Sequence, residues 1–423
     1  MTQIIFISKI KNKIDFNLPR LLKSIKLNIQ YFKIRFYKMD NQIQLTRYLY
    51  EKDEVKLSLL LCILNKKEEA IFWAYELYYS GFKAELVNLF WTMYYDFYYT
   101  SNPSFEKYLL KKLNNNLNFE TNCEHYLSMI VNNFMIRPHS MDIFMLKQIV
   151  NMCEFETNDV LLESVLQNED YMILASLILS EIKDDCLVDT LANVIQYFIK
   201  KGLNLDSKKI VAEYKKIIKN DYHSNNNNKR VILLARLIHY FASTKNIKMG
   251  KNIYVHIEPE DVIIYENIYA DLRRNDLTPV LPAYKILPLA TIYYIDQYNY
   301  LSLFHLKREK NNIITAYRDN WLYYASFSLL WRERIIKHNG VIDEKNKKVT
   351  FKEQDNSDDN EQGFYDEFGY EPDEQKIETQ NKTIQEIKSE RTWSLFYDEH
   401  KNNGILELDD DILNDMNKVI YNL

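Results

Sequence analysis

The stretch Lys67-Glu-Glu-Ala-Ile-Phe-Trp-Ala-Tyr-Glu-Leu-Tyr-Tyr-Ser80-Gly81, followed at once by Phe82–Tyr99, sets the fold class. Apolar residues recur through both segments at three- and four-residue spacing, the period of an amphipathic helix. Gly81 falls where a C′ glycine ends a helix. Two helices joined so closely form a hairpin. The pattern extends both ways. Glu54–Leu64 precedes it, and Ser101-Asn102-Pro103 opens Pro103–Leu113 with a cap residue and a first-turn proline. Asn122–Ile136 stops before Pro138, Ser140 caps a helix to Met152, Asn158-Asp159 opens one to Gln167, and Asp170–Ile182 follows. Leu187–Lys201 ends at Gly202, Asp206 caps Ser207–Lys219, and Asn228–Ser243 closes the series. The predicted fold is mostly α: an irregular α-solenoid or helical-hairpin array of HEAT-like kind over residues 39–245, with an irregular single bundle as the alternative.

Composition narrows the chemistry. Seven glycines and eight prolines in 423 residues stand beside 33 tyrosines and 21 phenylalanines, whereas average usage puts roughly 12% of a chain in Gly and Pro. Glycine supplies the positive-φ turns and close approaches of phosphate loops and nucleophile elbows, although an AT-rich genome also depresses it. The chain has no Gly-x-x-x-x-Gly-Lys-Ser/Thr, Gly-x-Gly-x-x-Gly, Gly-x-Ser-x-Gly or His-Glu-x-x-His. Cys123-Glu-His125 is the one close Cys/His pair and lacks a second half for zinc. Counted as a calcium loop from Asp358, the acidic run puts Gly363 at position six but Gly369 where a bidentate Glu belongs. No enzyme activity, cofactor or metal is expected. Cys62, Cys123, Cys153 and Cys186 read as reduced thiols on buried helical faces. The longest apolar runs, Leu57–Leu64 and Trp321–Trp331, are too short for a membrane span, and no signal peptide is expected.

The net charge of −5 is unevenly spread. Residues 1–38 are a basic arm with Asp15 as its one acid, and Met39 is the alternative start. Residues 246–352 read as an aromatic-rich region: a short strand at Ile253–Ile257, helices at Glu260–Arg273, Leu289–Tyr298 and Ile313–Lys337 with Gly340 as terminator, then a hairpin of Val341–Asp343 and Val349–Phe351. Residues 353–374, with ten Asp/Glu and no Lys/Arg, read as an acidic loop. Residues 375–423 carry helices at Ile377–His400 and Asp410–Tyr421.

Two surfaces stand out. In Leu301–Lys337 the cations Lys307, Arg308, Lys310, Arg318, Arg332, Arg334 and Lys337 interleave with rings, as single-stranded nucleic acid requires, while the rings at helical spacing equally describe a buried stripe. In the acidic segment, Phe364, Tyr365, Phe368 and Tyr370 suit docking on a basic, aromatic-lined groove of a partner or of the chain itself. Tyr298-Asn-Tyr-Leu-Ser-Leu303-Phe304 fits Tyr-x4-Leu-Φ and resembles the docking peptide for cap-binding translation initiation factors; Tyr324 through Leu329-Leu330 fits too.

Tyr48-Leu-Tyr-Glu-Lys-Asp-Glu-Val55, Trp73-Ala-Tyr-Glu-Leu-Tyr-Tyr-Ser-Gly-Phe82, Tyr317-Arg-Asp-Asn-Trp-Leu-Tyr-Tyr-Ala-Ser-Phe327 and Phe364 through Gln375 resemble a protein family of giant nucleocytoplasmic DNA viruses that carries no established activity. The resemblance implies a viral source, and with it the host cytoplasm (viral factory) or the virion interior. The combined expectation is a non-enzymatic α-helical scaffold acting through protein partners, with no membrane. The alternatives are a nucleic-acid-binding subunit, meeting RNA or DNA in viral transcription or translation initiation, and an internal virion component.

Overall fold

Lys52–Leu64 (α1) and Glu69–Tyr79 (α2) form an antiparallel hairpin, and Lys83–Met93 (α3) follows directly. The computed structural model describes residues 44–47, 50, 52–114, 124–153, 155, 157, 160–219, 226–245, 247–258, 260, 291–294, 307–310, 320–352, 360–368, 392–401 and 403–421. α2 ends as the glycine signal requires. Gly81 adopts φ 89°, its N–H reaches Tyr78 O at 3.3 Å, and Phe82 N–H reaches Leu77 O at 3.0 Å, which is the Schellman pair of bonds. Alanine at this position pays about 1 kcal/mol for the left-handed backbone, and its Cβ would press on Leu329 Cδ1 at 3.2 Å. Gly81→Ala is therefore expected to lower the urea midpoint by about that free energy with an unchanged denaturant slope. Lys66, at φ 57°, closes α1 without glycine, so scarcity of glycine did not prevent the turn.

Phe82–Tyr99 is not one continuous α-helix. After α3, residues Tyr94–Tyr98 widen into a π turn, in which Tyr99 N–H bonds Tyr94 O at 2.8 Å, five residues back. The wider turn buries Tyr94, Tyr95, Asp96, Phe97 and Tyr98 together. Next come Phe105–Leu109 (α4) with a second π turn at Leu110–Asn114, Glu124–Met135 (α5) and Asp142–Met152 (α6). Asn102 does not cap α4. Its amide instead donates to Tyr98 O at 2.8 Å and Pro138 O at 2.7 Å, tying two helix ends together. Ser140 Oγ takes the Asp142 N–H at 3.2 Å at the start of α6.

Leu162–Asn168 (α7) begins later than Asn158-Asp159 suggested. Tyr171–Ser176 (α8) is capped by Asp170, whose Oδ1 accepts Ile173 N–H, and runs into a third π turn at Leu177–Glu181. Leu187–Lys200 (α9), Ser207–Ile217 (α10, capped by Asp206) and Asn226–Ser243 (α11) complete the series.

These helices share one core. In a linear repeat stack each unit touches only its neighbours. Here α11 packs back on the Tyr94–Tyr98 turn, on α6 and on α9, so the chain closes on itself as an irregular bundle. Bulky rings explain the closure: Phe97 stacks on Phe144 at 4.9 Å, and Phe198 meets Phe241 edge-on at 4.8 Å. Buried Cys62 fits the thiol reading, whereas Cys153 is half-buried and Cys186 exposed. Cys123 lies outside the described residues.

The chain beyond 246 corrects several expectations. Ile253–Ile257 is extended but is no strand. Asn133 takes the place of a strand partner, donating to Val255 O at 2.9 Å and accepting Val255 N–H at 3.0 Å. Leu289–Tyr298 contains a strand, Thr291–Tyr294 (β1), antiparallel to Lys307–Lys310 (β2), with Thr291 opposite Lys310. Ile313–Lys337 is not one helix. Trp321–Ala325 (α12) and Leu329–Lys337 (α13) are separated because Ser328 is extended (φ −84°, ψ 133°) to form a parallel bridge with Leu45. α13 ends at Asn339, with φ 58°, and Gly340 instead starts the hairpin Gly340–Asp343 (β3) with Lys348–Phe351 (β4). The acidic loop holds a helix, Asn360–Phe368 (α14). Trp393–His400 (α15) is capped by Thr392, and Asp410–Tyr421 (α16) rests on α15 and α6. The basic arm, Glu260–Arg273 beyond residue 260, and residues 371–391 lie outside the described residues.

Candidate functional site

Of the rings read as partner-docking residues, Phe364, Tyr365 and Phe368 pack on the chain itself. In a helix, residues 364, 365 and 368 share one face. Phe364 is 0% exposed, with ring centroids 5.2 Å from Phe351, 5.7 Å from His338 and 6.3 Å from Trp331. Phe368 lies 6.3 Å from Trp331, and half-buried Tyr365 faces Trp321 at 6.4 Å. Glu367 accepts from His338 Nε2 at 2.6 Å and from Lys337, while Glu361 and Asp366 face solvent. These contacts fall on Trp321 and Trp331, within the chain's own 301–337 region that the sequence offered as one docking alternative. Tyr370, Tyr298, Leu303 and Phe304 lie outside the described residues. The second Tyr-x4-Leu-Φ match, Tyr324 to Leu330, straddles the break between α12 and α13.

Of the predicted nucleic-acid cations, Arg332, Arg334 and Lys337 have described side chains. Arg334 is 9% exposed, its guanidinium held 4.6 Å from Trp331 and 4.5 Å from Phe368. Lys337 is bonded to Glu367, and Arg332 is half-exposed. Lys307, Arg308 and Lys310 belong to β2 rather than to a helical face, and Arg318 lies outside the described residues. Trp321 and Trp331 are buried, 5.7 Å apart and edge-on. Tyr324 and Phe327 are half-buried, and Tyr317 lies outside the described residues.

What the fold does concentrate is buried charge. Glu106 on α4 receives Arg236 of α11 at 3.1 and 3.0 Å on its two oxygens and the Tyr95 hydroxyl at 2.9 Å. The guanidinium also lies 5.4 Å from the Tyr99 ring and 5.9 Å from that of Tyr214. Burial lifts the Glu106 carboxyl above its ordinary value, and Arg236 pulls it back down. Arg47 Nε meets Glu76 at 2.8 Å with both side chains buried, and Trp331 Nε1–H donates to Arg47 O at 2.9 Å. Lys147 of α6 grips Asp96 in the π turn at 2.9 and 2.8 Å. Asp142 accepts Ile405 and Leu406 N–H at 3.1 and 3.0 Å and Ser140 Oγ at 2.7 Å. Each group ties together segments distant in sequence.

Half-buried His139 has no acid partner among the described residues. The His139 ring lies 5.9 Å from both His400 and Tyr98, and burial, with repulsion from His400 and Lys66, pushes its pKa down from 6.5 to about 4. As pH falls below 6.5 the unfolded chain takes up this proton first. The His139 contribution is thus complete above pH 6.5 and is lost towards pH 4, a loss on the order of 2 kcal/mol. His139→Gln is expected to flatten the pH dependence of the urea midpoint over that window relative to the parent; parallel pH profiles would refute the assignment.

The sequence reading found helix α10 but missed its face. Ser207-Lys-Lys-Ile-Val-Ala-Glu-Tyr-Lys-Lys-Ile-Ile-Lys219 buries Tyr214 and Ile217 and half-buries Ile210, Val211 and Ile218. At about 100° per residue, Lys208, Lys209, Lys215 and Lys216 gather within roughly 120° around Ala212, and Lys219 follows in the turn just past the helix end. All five lysines and Ala212 are exposed. Glu213 borders the arc and is held by Lys107 at 3.3 Å. A helical projection of this segment alone would have found the face.

Among the described residues no three His, Cys, Asp or Glu side chains converge as a metal-binding group, and no helix is long and apolar enough to cross a membrane. Comparison with protein-family models, curated proteins and solved structures finds no match.

Proposed function

We propose that this chain is a non-enzymatic α-helical scaffold that acts through protein partners, in the infected-cell setting implied by its resemblance to a giant-virus family. The reading rests on where buried charge goes. Glu106–Arg236 and Lys147–Asp96 cross-link helical segments, Arg47–Glu76 ties the segment before α1 to α2, and Asp142 pins the 405–406 backbone to α6. Buried ions held by good partners favour one rigid arrangement over alternatives, and a rigid body is what a docking platform needs. Affinity purification of the tagged full chain from infected cells, with quantification of co-purifying proteins, tests the reading. Near-stoichiometric protein partners are the expected result; recovery of the chain alone would reject it. The exposed lysines of α10 separately favour a nucleic-acid contact.

A further inference from the structure

We infer that the lysine face of α10 seats the phosphate backbone of a nucleic acid, without regard to base sequence. Four exposed ammonium groups, Lys208, Lys209, Lys215 and Lys216, cover one side of the helix, with Ala212 as the one other residue in their arc, and exposed Lys219 sits in the turn just past its end. Glu213, the acid at the border, already pairs with Lys107, which brings a sixth exposed lysine to the same edge. Like charges at adjacent helical positions repel, and a polyanion relieves that repulsion while releasing its own counterions. From Lys208 to Lys216 the helix advances about 12 Å, close to the rise of three to four phosphates along one strand at about 3.4 Å each, and Lys219 lies in the turn just past its end.

The character of the face selects among anions. It presents neither arginine nor ring, so it has nothing to fork onto a base edge or stack on a base, and binding follows charge alone. An acidic peptide needs apolar anchors to be held with specificity, and Ala212 offers none. A membrane-surface helix must insert its apolar side, but Tyr214 and Ile217 are committed to the protein core. A phosphate backbone is the occupant that remains. This surface is independent of the scaffold reading, which survives if the inference fails.

The test is fluorescence anisotropy of the full chain with two labelled duplexes of about 20 base pairs and different base composition, from about 50 to about 200 mM salt. Both duplexes should bind with similar affinity, weakening steeply with salt, with a log–log slope near −0.9 per lysine engaged. Lys208→Glu, Lys215→Glu and Lys219→Glu together should weaken binding at least about tenfold and flatten the slope by roughly 3. The same charge change at exposed Lys67, Lys345 and Lys348 should leave affinity within about twofold. Circular dichroism melts verify that both triple variants are folded. The inference is overturned if the parent does not bind at the lowest salt or if the two triple variants lose affinity equally. Retention of anionic vesicles or polyglutamate through these lysines, with no duplex binding, overturns it as well.

Discussion

Arg236→Met is expected to destabilise the protein by about 3–5 kcal/mol, because it leaves the Glu106 carboxylate buried without its cation. The pair is deep in the core, with side chains 4% and 7% exposed, so water cannot replace the lost partner. Removing both charges should cost far less. Glu106→Leu combined with Arg236→Met is expected to recover most of the loss, since a buried ion pair is worth little more than well-packed apolar side chains of similar volume. Recovery should stop short by about 1 kcal/mol because the Tyr95 hydroxyl loses its acceptor. Urea unfolding of the two single variants and the double variant measures the coupling directly. Additive losses would mean that Glu106 and Arg236 do not act as a unit, and the account of the cross-linked body would fall with them.

Phe364→Ala is expected to cost about 3–5 kcal/mol, the range for emptying a buried phenylalanine site. Its ring fills the space between Trp331, Phe351 and His338, so truncation leaves a cavity under α14. Limited proteolysis should then cut within Asn360–Phe368, a stretch expected to resist cleavage in the parent because it is helical and packed. Trp331→Ala should produce a similar loss and the same new cleavage, and additionally remove the hydrogen bond to the Arg47 carbonyl. The two losses should not add, because both variants open one aromatic cluster. A Phe364→Ala protein that melts like the parent would show that α14 is a free docking peptide after all, as one reading of its acids and rings proposed.

The failures of the sequence reading share a cause. Spacing located α2, α9, α10 and α16 because each needs only a periodic apolar stripe and a local stop or cap, such as Gly81, Gly202 or Asp206. It misjudged Ile313–Lys337 because the break at Ser328 is imposed by Leu45, nearly three hundred residues away in sequence. It mistook Ile253–Ile257 for a strand because an extended backbone can be satisfied by one asparagine side chain, Asn133, as well as by a neighbouring strand. The widened turn at Tyr94–Tyr98 left no trace in apolar spacing, since every residue there is buried whichever way the helix winds.

The candidate sites divide in the same way. Arg334 and Phe364 have the composition of binding residues, and only packing reveals that both lie against Trp331. The lysines of α10 were legible from the start, because a face set by 100° steps along one helix requires no knowledge of the rest of the chain. By itself the sequence determined helix type, many helix ends and the sign of each local surface, all properties of near-neighbour residues. Tertiary structure alone decided that the helices close into a bundle, which charges are buried against which, and that the acidic segment folds back onto its own chain. Those outcomes depend on contacts between segments far apart in sequence, where burial and pairing rather than local propensity set the free energy.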